Sequence, residues 1–202
     1  MNTPALPFSA ACERNKDPIL DVLRVAFADR AQVLEIGSGT GQHAQYFAGQ
    51  LTHLTWHPTE QLAYLQDLGA RVKLARIRNL RPPTLLDVRQ SVWPVRQVDA
   101  VFTANTLHIM SWPEVQALYR GVAQVLAPGG VLCVYGAFRY AGRYTSDSNR
   151  DFDATLQARD PASGLRDIEA LGALAAQYGM SLRADHDLPA FNRLLLFAKE
   201  PA

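Results

Sequence analysis

The sequence predicts an α/β fold: one mostly parallel, seven-stranded sheet with helices on both faces and an antiparallel hairpin at its C-terminal end. Three observations carry this. The apolar run Val33 to Ile36 passes directly into Gly37, Gly39 and Gly41 and then into a helical pattern, V-L-E-I-G-S-G-T-G-Q. Short apolar runs then alternate with amphipathic helical stretches, as in parallel βαβ units with right-handed crossovers. Finally, only the turn Pro189-Ala190-Phe191-Asn192 separates the last two runs. That is too short for a crossover helix, so the closing strand, about Arg193 to Ala198, must run antiparallel to its predecessor.

Each element has a local reason. Asp17 followed by Pro18 reads as an N-cap and first helical position, opening a helix through Ile19, Leu20, Leu23 and Phe27. After the glycine turn, Ala44, Phe47 and Ala48 mark the inner face of a second helix, and His53 to Trp56 a second strand. Leu62, Leu65, Leu68 and Val72 recur at helical spacing until Pro82 and Pro83. Leu85 to Val88 reads as strand three and Val98 to Thr103 as strand four. Ser111 with Glu114 is a capping box for a helix ending at Ala127-Pro128-Gly129-Gly130, before strand five at Val131 to Tyr135. The segment 138–166 is a polar, lid-like insertion in which Ser148 and Asp151 cap a helix bearing Phe152 and Leu156. Asp167 caps the helix that ends near Gly179.

Composition bounds the function. A chain of 202 residues suits a single domain, 1–202, with an N-terminal cap and helix over 1–30. Twenty Lys plus Arg against nineteen Asp plus Glu leave no net field to attract nucleic acid or a membrane, so a small-molecule partner is expected. The basic stretch Arg71, Lys73, Arg76, Arg78 and Arg81 spreads around a helix and reads as a solvated exterior. Hydrophobic content of 48% fits a packed core, and no apolar run reaches membrane-spanning length. No cationic n-region precedes an apolar stretch, so no secretory signal is predicted. Cys12 and Cys133 form no C-x-x-C pair, which fits a reducing, cytoplasmic setting without a metal or redox centre. The scattered histidines likewise form no metal-ligand pair.

The glycine turn points to a ligand. Three alternating glycines let the backbone reverse with positive φ and leave no side chains between it and a bound molecule. A dinucleotide fingerprint needs a third glycine where Gln42 stands, which disfavours NAD, and no Lys follows at P-loop spacing. Ligands of open α/β sheets bind outside the carboxyl ends of the strands. Those ends hold Glu35 and the glycines, Thr59 and Glu60, Asp87, Asn105 and His108, and Tyr135 to Tyr140. Glu60 is an acid at the distance suited to ribose hydroxyls, because a carboxylate can accept both hydrogen bonds.

On these motifs the chain resembles the class I S-adenosylmethionine-dependent methyltransferases, with a Rossmann-like fold. The carriers are E-I-G-S-G-T-G at 35 to 41, the acid after strand two, L-D-V at 86 to 88, D-A-V-F-T-A-N at 99 to 105 and the P-G-G turn before strand five. Within them it is similar to a small methyltransferase-like family of unassigned substrate found in bacteria and animals. That likeness rests on E-R-N-K at 13 to 16, N-T-L-H-I at 105 to 109, Y-G-A-F at 135 to 138, T-S-D-S-N at 145 to 149, F-D at 152 and 153, R-D-P at 159 to 161 and L-R-D at 165 to 167. The resemblance implies that Glu35 and the Gly37, Ser38, Gly39 and Gly41 turn hold the methionine end of S-adenosylmethionine. It likewise implies Glu60 on the ribose, Asp87 with Val88 at the adenine, and Asn105 on the methyl-bearing side. One departure stands out. The family pattern has two adjacent asparagines in its last turn, where this chain has Phe191 before Asn192.

For the acceptor, the expected contacts are Arg14, Asn15, Tyr135, Phe138, Tyr144, Asn149 and Asn192, with His108 and Asp153 as candidates for proton transfer. Asn149 and Asp153 are four apart and share a helical face. The function expected is methyl transfer to a small-molecule acceptor. The alternatives are a catalytically silent protein of the same fold that binds the cofactor, and a nicotinamide oxidoreductase, opposed by Gln42 and the closing hairpin.

Overall fold

The computed structural model describes residues 6–201; the first residues of the expected N-terminal cap, 1–5, lie outside them. Helix α1 (Ala10–Ala26) leads into strand β1 (Gln32–Ile36), and α2 (Gln42–Gln50) follows the glycine turn. Then come β2 (Thr55–Glu60), α3 (Leu62–Ala75), β3 (Thr84–Leu85), β4 (Val98–Ala104), α4 (Trp112–Val125) and β5 (Leu126–Gly136). The insertion carries β6 (Phe138–Tyr140), β7 (Arg143–Tyr144), α5 (Asp147–Arg159) and β8 (Arg166–Asp167). Helix α6 (Ile168–Ala176), β9 (Met180–Leu188) and β10 (Asn192–Lys199) close the chain.

The main sheet has the order β3-β2-β1-β4-β5-β10-β9. Strands β1 to β5 pair in parallel, whereas β10 is antiparallel to both β5 and β9, as the short final turn requires. A second sheet, β7-β6-β8, organises the insertion, which is therefore a built subdomain on the ligand side. Period-two alternation distributes the core between the two faces. Leu34, Leu132, Val134 and Phe197 join α4 and α6 on one face, around Leu118, Tyr119 and Leu171. Val33, Cys133 and Tyr135 join α1 and α2 on the other, where Phe47 and Phe102 meet edge to face at 5.4 Å.

Several boundaries differ from expectation. Helix α1 begins eight residues before Pro18: Ser9 is its N-cap, its hydroxyl accepting from Cys12 N at 3.3 Å, and Pro18 lies inside. Asp17 caps nothing; its carboxylate accepts from the Tyr46 hydroxyl. Strand β2 lies later than His53 to Trp56 and contains Pro58. It tolerates the proline because Trp56 directs its N–H and C=O toward Asn79 and Arg81, so Pro58, two residues on, faces the same edge where the ladder is interrupted before β3. Strand β3 is only two residues long. Helix α3 stops at Ala75 with Arg76 in the left-handed region (φ 53°), well before the prolines. The fifth strand starts at Leu126, so α4 ends at Val125, ahead of the Pro-Gly-Gly turn. Ser146, not Ser148, caps α5, accepting from Asn149 N at 3.1 Å. Asp167 occupies the N-cap position of α6 but accepts from Gly142 N at 2.7 Å instead. The Ser111–Glu114 capping box is present as expected. Among the described residues, no helix is long and apolar enough to cross a membrane.

Candidate active site

A cavity of about 1380 Å³ opens at the carboxyl ends of β1, β2, β4 and β5, walled on one side by α1 and on another by the insertion. It exceeds the roughly 300–1,000 Å³ of ordinary small-molecule pockets. Its floor is the glycine turn. Gly37, Gly39 and Gly41 all have positive φ (70°, 52° and 75°), but they serve different ends. A Cβ on Gly39 would meet nothing within 4 Å, so this residue faces open space; one on Gly41 would lie 2.6 Å from Leu68 Cδ1, so that glycine admits α3. A Cβ on Gly37 would press on the Thr106 side chain at 3.0 Å.

Polar groups surround that floor. Glu60, at the end of β2, accepts from Gly39 N at 2.6 Å and from Gln61 N at 2.8 Å. Ser38 Oγ is buried without a partner at hydrogen-bonding geometry, although its hydroxyl lies close enough to Glu35 to favour that carboxylate. Glu35 also accepts from Trp56 Nε1 at 2.8 Å. Burial pushes its pKa up to about 7, against the lowering effect of the Trp56 bond and with a smaller push from Glu60.

Helix α1 supplies a wall through Ser9, Cys12, Arg14 and Asn15. It is tied down at two points. The Gln42 amide accepts from Ser9 N at 2.5 Å and donates to Ser9 O at 3.3 Å, and Arg71 donates to Thr40 O at 2.5 Å and to Pro7 O at 2.6 Å. Arg71 is thus a structural clamp and does not belong to the expected solvated basic face. Asn15 Oδ1 lies 2.7 Å from Nε2 of His43, whose ring stacks on Phe47. Burial lowers the His43 pKa to about 4, so at neutral pH it carries no charge and donates to Asn15. Tyr135 lies at the end of β5 beside Asn15 and Arg14; burial raises its pKa, and the Asn15 contact opposes this.

Opposite α1, the insertion contributes Asn149 and Phe152, and the closing turn Ala190 and Asn192. His108 is 5% exposed, and its ring lies nearly perpendicular to that of Phe152 with centroids 5.1 Å apart. Burial, then Arg166, lowers its pKa to about 4.

Of the expected site residues, the cavity wall contains Gly37, Ser38, Gly39, Glu60, Val88, Asn105, His108, Arg14, Asn15, Tyr135, Asn149 and Asn192. Asn105 closes β4 with φ of 57°, a left-handed conformation that asparagine tolerates. Six others lie outside the wall. Glu35 and Gly41 have the internal partners described above. Asp87 is paired with Arg89, whose guanidinium hydrogen bonds hold the carboxyl below the usual range. Phe138 is 2% exposed and belongs to the core, because β6 turns its side chain inward. Tyr144 donates to Asp153 at 2.7 Å. Asp153, 1% exposed, is an anchor for the insertion rather than a proton carrier: it also accepts from Leu165 N at 2.6 Å and Gln157 Nε2 at 3.2 Å. Sequence reading missed Cys12, His43, Thr106 and Met110 in the wall. Only His43 gave a signal, four residues before Phe47 on the inner face of α2.

Comparison with known proteins agrees with this architecture. An O-methyltransferase family protein from Burkholderia thailandensis superposes with a TM-score of 0.82 at 15% identity, over 95% of this chain and 58% of its own. Human N-acetylserotonin methyltransferase, solved with S-adenosylmethionine, gives 0.80 at 12% identity, over 95% and 53%. An O-methyltransferase family 2 protein from Planctomyces limnophilus, in complex with apigenin, gives 0.80 at 15% identity, over 94% and 58%. This chain therefore spans little more than half the length of these relatives in fold. The model of a protein family of unknown function, DUF938, matches residues 6–199. The chain belongs to the DUF938 family and has the class I S-adenosylmethionine-dependent methyltransferase fold.

Proposed function

We propose that this chain binds S-adenosylmethionine over the glycine turn and transfers its methyl group to a small-molecule acceptor held between α1 and the insertion. The observation that carries the reading is the floor of the cavity. Gly39 presents bare backbone to open space, between a carboxylate at the end of β2 and the buried Ser38 hydroxyl, whose nearest acceptor is Glu35. These residues fit the cofactor. A carboxylate has about four lone-pair sites, so Glu60 retains room for two ribose hydroxyls beyond its two backbone bonds. The Leu86 and Val88 side of the wall suits an adenine ring, and Asn105 and Tyr135 border the methyl-bearing end. Glu35 supports the turn from behind through Trp56. Asp87 would reach an adenine amino group only by leaving Arg89.

When bound, the cofactor supplies a methyl group on a sulfonium sulfur, an already activated electrophile. The chain's own task is then alignment and exclusion of water, worth on the order of 7–11 kcal/mol when near-attack geometry is reached. Arg14, Asn15, His108, Asn149 and Asn192 would orient the acceptor, and Phe152 would shield it. With Asp153 committed to Leu165, Tyr144 and Gln157, His108 is the remaining candidate for proton handling. Calorimetry with S-adenosylmethionine, S-adenosylhomocysteine and NAD tests the cofactor, with binding expected for the first two and not for NAD. Incubating the protein with methyl-labelled cofactor and a metabolite extract tests transfer. Binding without any labelled product would favour the silent cofactor-binding alternative.

A further inference from the structure

The acceptor end of the cavity has a fixed hydrogen-bonding polarity. Asn149 donates from Nδ2 to Thr145 Oγ1 at 2.7 Å and to the Phe191 carbonyl at 3.1 Å. Asn192 donates from Nδ2 to the carbonyls of Pro189 at 3.2 Å and Ala190 at 3.3 Å. A carbonyl oxygen can only accept, so both amide nitrogens are held toward the closing turn and both Oδ1 atoms are turned away from it. Neither Oδ1 receives a hydrogen bond from a described residue, neither is sealed from solvent, and both side chains line the cavity. The two amides are also neighbours, since Asn149 binds the residue that precedes Asn192. This corner therefore offers a pair of acceptors. Beside it Phe152, 39% exposed, and the His108 ring, nearly perpendicular to it, form an aromatic wall.

Resting on the methyl-transfer reading, we propose that the acceptor is a neutral, planar amine, held through its two N–H groups by Asn149 and Asn192 with its ring against Phe152 and His108. A hydroxyl brings one hydrogen to two oxygens and would leave one acceptor unpaired beneath the bound ligand, which a site built for two N–H groups disfavours. An –NH₂ group satisfies both and keeps its lone pair free. That lone pair forms the new N–C bond as the S–C bond breaks; the S–C electron pair returns to sulfur, leaving a neutral thioether, and the methylated nitrogen releases one proton to solvent. No base is required before the transfer. A phenol would need one, and His108, with its pKa lowered to about 4, binds protons weakly. An amine that is already cationic lacks the lone pair that the transfer needs.

The test uses matched probes of the same shape that are uncharged at pH 7: aniline against phenol, and 1-aminonaphthalene against 1-naphthol. They are titrated into the full chain saturated with S-adenosylhomocysteine and followed by ligand-observed NMR. Each amine is expected to bind at least about tenfold more tightly than its hydroxyl partner, and with S-adenosylmethionine any label is expected on nitrogen. Asn149→Leu should remove that margin. Asn192→Ala, whose amide otherwise bonds only to an exposed turn, should reduce it in a protein that still folds. Equal or tighter binding of the phenols, no binding of either amine, or label on oxygen overturns the proposal while leaving the cofactor reading intact. Failure to bind S-adenosylhomocysteine at all removes both.

Discussion

Replacing Gly39 and Gly41 separately with alanine distinguishes a glycine kept for a ligand from one kept for packing. Both have positive φ, 52° and 75°, so each substitution carries the left-handed strain of roughly 1–2 kcal/mol for an L-residue. At Gly39 there is no further cost to the protein, because the new methyl meets nothing within 4 Å. At Gly41 the methyl would lie 2.6 Å from Leu68 Cδ1 and 3.1 Å from Arg71 Cδ. Leu68 is fully buried and Arg71 is clamped to Thr40 and Pro7, so neither can swing aside, and overpacking adds roughly 1–3 kcal/mol. For a domain of this size that difference corresponds to a melting temperature about 2–12 °C lower for Gly41→Ala than for Gly39→Ala. The order reverses for ligand affinity. Gly39→Ala should lose at least about tenfold in S-adenosylhomocysteine binding, or 1.4 kcal/mol, while Gly41→Ala stays within about threefold. Thermal unfolding and calorimetry on the same samples decide the matter. If Gly39→Ala binds as tightly as the parent, the cofactor does not lie on this turn, and equal melting temperatures would refute the packing argument.

Three further substitutions probe the acids. Glu60→Gln should weaken S-adenosylhomocysteine binding by about 1.5–3 kcal/mol in calorimetry, the range for hydrogen bonds to a charged group, and should also lower the melting temperature through the Gly39 N–H; unchanged affinity would move the ribose contact elsewhere. Glu35 keeps its proton in the folded chain from its ordinary value of 4.5 up to about 7, where the unfolded chain has already lost it, so its contribution to stability falls as pH rises through that window. Glu35→Gln keeps an oxygen for Trp56 Nε1 and removes the titration, so urea unfolding should show the variant gaining on the parent between pH 5 and pH 8, by at most about 3 kcal/mol; an equal pH slope in both proteins would contradict this. Asp153→Ala strands the buried Leu165 N–H and releases the exposed Tyr144 side chain, and should destabilise the fold by roughly 1–3 kcal/mol, with the fastest hydrogen exchange in the insertion; a variant as stable as the parent would show that Asp153 is no anchor.

The parts of the fold that were legible in the sequence are those set by local chemistry. Strand β1 and its glycines, the Ser111–Glu114 box and the antiparallel ending follow from short-range pattern and chain length alone. What escaped depended on partners distant in sequence. Pro58 argues locally against a strand, yet its missing N–H meets a gap created by residues more than twenty positions later. Asn149 and Asp153 do share a face, as their spacing implies, but Gly164, with φ of 143°, brings the Leu165 N–H onto Asp153 and leaves only Asn149 for the cavity. Phe138 sits at a strand end that points to a ligand in one dimension, and only the register of β6 shows that its ring enters the core. Arg71 reads as one of five scattered cations until the chain before α1 is placed beneath it.

Pro18 marks the place in helix α1 where its task changes. Without an N–H it cannot bond the Arg14 carbonyl, so the helical ladder lacks one bond where the cavity wall ends and the core begins. Beyond that point, Ile19, Leu20, Leu23 and Phe27 are locked into the apolar interior; before it, the wall is kept in place by side chains of Gln42, Arg71 and His43 that reach it from other elements. A protein cut ahead of Pro18 would keep the apolar anchor of α1 and the sheet beneath it while forfeiting the first turns of the helix and one side of its pocket. Retained folding is for that reason no assurance of a retained site, and preparations of this chain should be judged on residues 7–17 before an absence of binding is read as an absence of function.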